Sequence, residues 1–272
     1  MFFLEGVSVT VFVGFMFLGI IPGMVVGVAL LIAAVLLLLS HLGHPFRAWM
    51  AIRNFRRSWV SRGTVMIGAF NGLGIVYIAA PSVVQLQTGE PLMMAIAALL
   101  IVAGIFILLY PGFAMAASPA IAFWSTGLLP VLSAINGLAS GVIVVLLYMT
   151  VTQSLDFNIG PVNMVWLQQV IQGLLALSTF VYMVGMSNSG TAAKLSVAYL
   201  VQREPVLFWL LTVGAGIVVP IVVVAITLIV PVAPPSLLWV GVAARLAGDV
   251  SGRYAWLKAG IYDAVLQSHR RV

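Results

Sequence analysis

Apolar residues run along this chain in blocks much longer than a strand or a surface helix needs, and polar residues gather in the short gaps between them. The first block, Phe2 to Ser40, exceeds the roughly 20 residues that cross a hydrocarbon core of about 30 Å, and Ile21-Pro22-Gly23 interrupts it. Splitting the block there predicts two spans, at about 4–20 and 24–40. The later blocks predict spans at about 65–84, 92–113, 128–151, 162–186, 206–230 and 236–257, punctuated by Pro, Gly and polar turn residues. Hydrocarbon offers the backbone no hydrogen-bond partner, so continuous apolar runs of this length point to helices and away from the alternating strands of a barrel. The expected fold is all-α, a polytopic transmembrane helix bundle of about eight spans, forming one integral membrane domain over residues 1–272. Met1 leads almost directly into apolar sequence with no basic leader, which reads as a first span and not as a removable signal.

Composition agrees. The chain is 63% hydrophobic and 7% charged, whereas soluble domains carry about a quarter of their residues as Asp, Glu, Lys and Arg. Cysteine is absent, which removes disulfides, iron–sulfur ligation and thiol catalysis together. The distribution of charge tests the span count. With eight spans, the segments after spans two, four, six and eight share one side of the membrane. Arg47, Arg53, Arg56, Arg57 and Arg62 follow span two, Lys194 and Arg203 follow span six, and Arg245, Arg253, Lys258, Arg270 and Arg271 lie in or after span eight. The connections of the other side, near 21–23, 85–91 and 152–161, hold no basic residue. The positive-inside rule then predicts a multi-pass protein of the inner, cytoplasmic membrane with its basic face and both termini in the cytoplasm.

Chemistry should meet the outside world at Ser40–Thr64, which carries His41, His44 and five arginines and no acid. His41 closes span two at the membrane surface, where a neutral imidazole exchanges protons near pH 7 or merely caps a helix. His44, before Pro45, reads as surface. Haem in a bundle needs ligands facing each other from different helices, and the one other histidine, His269, lies in the tail; no haem or cluster held by this chain is expected, and no metal site. The arginines read either as a topology determinant against lipid phosphates or, interleaved with Trp49, Phe55 and Trp59, as a docking surface for a cytosolic partner made by Arg53, Arg56, Arg57, Trp59 and Arg62.

The second informative site is in span eight, where Arg245, Asp249 and Arg253 recur every four residues and form one stripe. Entry near Ser236 would put Asp249 about 20 Å into the membrane. Charges at that depth mark a cavity or proton path, or a self-neutralising ladder; both readings bury the stripe. Asn71, Tyr77, Tyr110, Asn136 and the Gln168, Gln169, Gln172 group are lesser candidates, explained mostly by interhelical hydrogen bonds. Glu5, Glu90, Asp156, Glu204 and Asp263 sit near span ends and read as solvated.

HLGHPFRAW at 41–49 followed by RRSWVSRG at 56–63 resembles the signature of the integral membrane anchor subunits of the dimethyl sulfoxide reductase family, related to the polysulfide and nitrite reductase anchors. AGDVSGRYAW at 247–256 resembles that family's AGE-x-x-GR segment, with Asp249 in the place of the acid and Arg253 matching the arginine. YPGFAMAASPAIAFWSTG falls where the family has its Tyr-containing stretch.

The resemblance implies a quinone site in the anchor (menaquinone or ubiquinone), a docked iron–sulfur subunit and a molybdopterin catalytic subunit beyond it. His41 matches the family histidine associated with the quinone; Arg47, Tyr110, Arg245, Asp249 and Arg253 are the further expected quinone-binding or proton-handling residues. The chain departs from the pattern at His44, in its compressed first two spans and in a docking face on the cytoplasmic side, where it is similar to sulfite dehydrogenase anchors. Two other classes compete. A secondary transporter of a small solute would place its site at the midplane between repeated halves, and no repeat is visible. A passive tether would tolerate apolar replacements at His41 and Asp249.

Overall fold

A computed structural model describes residues 2–40, 50, 53–83, 89–152, 158–160, 162–230 and 235–262. His41, His44, Arg47, Asp156, Asp263, His269, Arg270 and Arg271 lie outside the described residues. The chain folds as α1 (Phe2–Leu18), α2 (Ile21–Ser40), α3 (Trp59–Val83), α4 (Pro91–Ala116), α5 (Leu128–Val151), α6 (Met164–Ser187) and α7 (Thr191–Ala198), then α8 (Val206–Ile229) and α9 (Pro235–Lys258). Its one described sheet is a tiny hairpin in which β1 (Asn158–Ile159) pairs antiparallel with β2 (Val162–Asn163) just before α6.

Six of these helices, α2 to α6 and α8, are long and apolar enough to cross a membrane on those grounds alone. α1 is apolar but shorter, with 17 residues, and α9 is diluted by Arg245, Asp249, Arg253 and Lys258. The molecule is an all-α polytopic bundle of about eight spans.

The break between the first two helices is not at Pro22-Gly23. It falls at Gly19, whose φ of 69° lies in the left-handed region that glycine adopts at little cost. Gly19 N–H donates to the Met16 carbonyl and Ile20 N–H to the Phe15 carbonyl, the paired bonds of a Schellman cap. Pro22 then sits in the first turn of α2, where its missing N–H costs nothing. α3 starts at Trp59 and not near 65, because the end of the arginine-rich stretch is already helical. The hydrophilic connection at 187–205 holds α7 and a π-helical turn at Tyr199–Arg203.

Successive helices alternate in direction, and side-chain contacts show which ends gather. Trp59 at the start of α3 stacks on Phe113 near the end of α4. The irregular stretch between α4 and α5 folds back over the same end: Trp124 Nε1 donates to the Trp256 carbonyl at 2.8 Å, and the Tyr182 hydroxyl donates to the Phe123 carbonyl. Lys258, at the end of α9, pairs with Glu204 before α8 at 2.5 Å. This hydrogen bond, more than any other influence, holds the Glu204 carboxyl below its usual range and the Lys258 ammonium above its own. Arg53, Arg56, Arg57 and Arg62 belong to this same end, called the basic end below.

Small residues let the helices close on one another. A Cβ on Gly248 of α9 would lie 2.1 Å from the Gly216 Cα of α8, and one on Gly6 of α1 would lie 2.9 Å from the Gly137 Cα of α5. Such backbone-to-backbone contacts replace the hydrophobic driving force that lipid cannot supply between spans. Gly248→Ala therefore forces α8 and α9 apart and should lower stability by about 1–3 kcal/mol. Gly173→Ala, at a position with nothing within 4 Å, should leave the unfolding temperature in detergent unchanged or raise it. Equal behaviour of the two variants would contradict this packing.

Candidate functional site

α9 presents Arg245, Asp249 and Arg253 to the interior of the bundle. Arg245 and Asp249 are each 1% exposed, so their polar atoms must be satisfied by protein, and they are. Arg245 donates through Nε to Ser140 Oγ at 3.1 Å, through Nη1 to the Gly216 carbonyl at 2.7 Å, and through Nη2 to Asn136 Oδ1 at 2.7 Å and the Asn136 carbonyl at 3.2 Å. The Gly216 carbonyl is available for a local reason. In an α-helix it would accept from residue 220, and Pro220 has no N–H. The preceding half of α8, Val206–Val218, is wound as a π-helix, which further displaces the ordinary ladder. Gln172 of α6 uses the same oxygen, donating at 2.8 Å.

Asp249 accepts from Ser140 Oγ at 2.9 Å and from Arg253 Nε at 2.8 Å. Ser140 thus links Arg245 to Asp249, accepting from one and donating to the other. Arg253 reaches further toward the basic end. One of its terminal nitrogens lies 3.5 Å from where a Cβ on Gly6 would sit, and its charge acts on Glu5 as well as on Asp249.

Glu5 is the residue that sequence reasoning misplaced. It is 1% exposed, not solvated, and both its oxygens accept from the Tyr110 hydroxyl, at 3.1 and 2.9 Å. α1 carries it in and α4 supplies the tyrosine, 105 positions away. Two carboxylates, two guanidiniums and a phenol therefore form one buried cluster. With all four ionised its formal charge is zero, the condition under which such groups tolerate a low-dielectric setting.

Above the cluster a cavity opens toward the basic end, lined by Phe2, Pro111, Met115, Asn136, Arg253 and Trp256 among others. The Oγ of Ser133 on its wall is buried and has no protein partner. A second cavity, of about 610 Å³, lies between α1, α4, α5 and the hairpin, and its lining holds no charged side chain.

The remaining expected residues separate cleanly. Tyr110, Arg245, Asp249 and Arg253 meet in the cluster, joined by Asn136 from the lesser candidates. Gln168, Gln169 and Gln172 donate to the carbonyls of Ala139, Ile221 and Gly216, the interhelical role anticipated for them. Arg53, Arg56 and Arg57 are exposed. Trp59 faces the bundle against Phe113, with the Arg62 guanidinium 4.6 Å above its ring and donating to the Phe55 and Arg56 carbonyls. Trp59 and Arg62 thus shape the segment, while the three exposed arginines form its outer surface. Among the described residues no group of three His, Asp or Glu side chains could hold a metal ion.

Fold and site define a helical integral membrane protein with one ionisable cluster beneath a basic end. Residues 14–263 match the family described as polysulphide reductase, NrfD, and the chain belongs to that family. It is a membrane subunit of the kind that serves quinone-linked oxidoreductase complexes. No curated protein sequence matches the chain.

Replacing Tyr110 by Phe removes a hydrogen bond to a buried carboxylate and should cost about 1.5–3 kcal/mol. Asp249→Leu leaves Arg253 and Ser140 without their acceptor and should cost about 3–5 kcal/mol. Unfolding temperatures in detergent measure both, and a D249L protein as stable as the parent would show that the cluster is not held by its charges.

Proposed function

We propose that this chain is the quinone-reactive membrane anchor of a molybdopterin oxidoreductase complex, passing electrons between a partner iron–sulfur subunit and the membrane quinone pool. The observation that carries the proposal is the cavity beneath the basic end, which combines apolar walls with donors and proton-holding groups on one side. A quinone ring fits that donor set because its two oxygens are acceptors and its flat faces are apolar. When bound, quinone supplies two-electron, two-proton redox chemistry.

The chain's residues divide that work. Arg253 and the unpartnered Ser133 hydroxyl donate toward an acceptor in the cavity, while Phe2, Met115 and Trp256 form walls that exclude water. Tyr110 with Glu5, and Asp249 behind Arg253, hold protons at a buried site. His41 and Arg47, which follow Ser40 in the sequence, are further proton-handling and binding candidates. Arg53, Arg56 and Arg57, exposed beside the cavity's end of the bundle, would receive the iron–sulfur partner within electron-transfer reach of the ring. The excess of basic residues on this face supports, by the positive-inside rule, a cytoplasmic orientation for it and an inner-membrane location for the chain. That arrangement suits a sulfite dehydrogenase type of complex, with menaquinone or ubiquinone as the pool.

In the purified complex, Arg253→Gln and Glu5→Gln should lower quinone-linked turnover by about tenfold or more, the range typical of removing one positioned charge or proton-transfer group. Turnover of the same complex with an artificial soluble electron acceptor should stay at the parental rate. Equal loss in both assays would mean that the variants harm assembly, and no loss in either would remove the quinone from this cavity.

A further inference from the structure

The polar side chains do not stop at the cavity. Below Asp249 they continue through Ser140, Arg245, the Gly216 carbonyl and Gln172 to Gln168, which donates to the Ala139 carbonyl at 3.2 Å. Gln168 lies one turn closer than Gln172 to the start of α6 at Met164, and so within about 6 Å of the far end of that helix. The Oε1 atoms of Gln168 and Gln172 are both buried and have no protein partner. A polar line thus runs from the basic end through most of the bundle, with two open acceptors along its far half.

Protons meet no carboxylate, imidazole or amine on that far half, and its tyrosines, Tyr77 of α3 and Tyr148 of α5, are not among the hydrogen-bond partners that make up the line. From Arg245 onward toward the other end, none of the helices carries Asp, Glu, His or Lys. What stands in the line is a guanidinium, 1% exposed and fixed by four hydrogen bonds from three directions. Arginine stays charged under all physiological conditions, and a fixed cation in a narrow polar path raises the energy of any proton or cation approaching it. Arg245 borders the same cavity as Arg253, but its hydrogen bonds all go to α5 and α8 and hold it in place.

We propose that Arg245 is an electrostatic plug, so that the buried cluster exchanges protons with the basic face alone and this subunit moves none across the membrane. Reduction of one quinone to quinol consumes two electrons, supplied by the partner's cluster, and two protons, one at each ring oxygen; both protons would enter from the basic face. The sidedness of turnover rests on the quinone reading, whereas the plug does not.

The plug is tested on the full chain reconstituted in liposomes, with an entrapped pH dye and a potassium diffusion potential set by valinomycin. The parent and Arg245→Lys, which keeps the cation, should match protein-free vesicles. Arg245→Gln should raise proton flux by about tenfold or more. A leaking parent, or a folded R245Q protein as tight as the parent, overturns the proposal. Should R245Q fail to fold, the assembled complex in liposomes decides: quinone turnover must change pH only in the compartment facing the basic end, and a change in the other compartment overturns the plug. A complex that does not use quinone at all strikes the proposed function alone, and the parent's flux, with R245K beside it, still judges the plug.

Discussion

A guanidinium held out of water within a membrane bundle is costly unless its nitrogens find acceptors, and each of the three Arg245 nitrogens donates to backbone or side chain of two other helices. α5 supplies Asn136 and Ser140, and α8 supplies the Gly216 carbonyl that Pro220 leaves available. α6 braces the same oxygen through Gln172. The Gly216–Gly248 contact is what brings α8 close enough for this to happen. The π-helical winding, the proline and the glycine pair of this region thus have a common physical reason.

The charge on Arg245 propagates toward the basic end. It is offset by Asp249, which holds Arg253, whose charge in turn reaches Glu5. The cluster therefore behaves as one balanced unit, running from the basic end to about mid-helix in α9, where Arg245 lies roughly 15 Å from Pro235. Beyond Arg245 the described helices carry no Asp, Glu, Lys or His, an asymmetry that a midplane transport site between repeated halves would not show. It also explains why the apolar cavity on the other side of the bundle carries no comparable chemistry.

Much of the fold was legible because membrane spans follow from length and hydropathy. α5, α6 and α8 run within two residues of their expected limits, since Pro, Gly and polar turns mark their ends. The α1–α2 boundary was not, because two strong breakers stood side by side and only the backbone shows that Gly19, rather than Pro22, ends the helix. The stripe on α9 was legible as a period of four. Glu5 was not: an acid five residues into a chain looks solvated until α4 brings Tyr110 against it. Ser140 escaped for a related reason, as a lone hydroxyl in an apolar helix bonds its own backbone unless a partner helix presents a charge. The stacking of Trp59 on Phe113 was not legible either, since it depends on which way α3 faces α4.

The cavity under the basic end is the proposed seat of the quinone ring. Photolabelling of the purified complex with a reactive quinone analogue, followed by peptide mapping, tests it most directly. Labelling is expected on α9 around Arg253 and on α4 around Tyr110 and Met115, competed away by excess natural quinone. Competable labelling confined to α1, α4 and α5 around the second, apolar cavity, with none near Arg253, would contradict it.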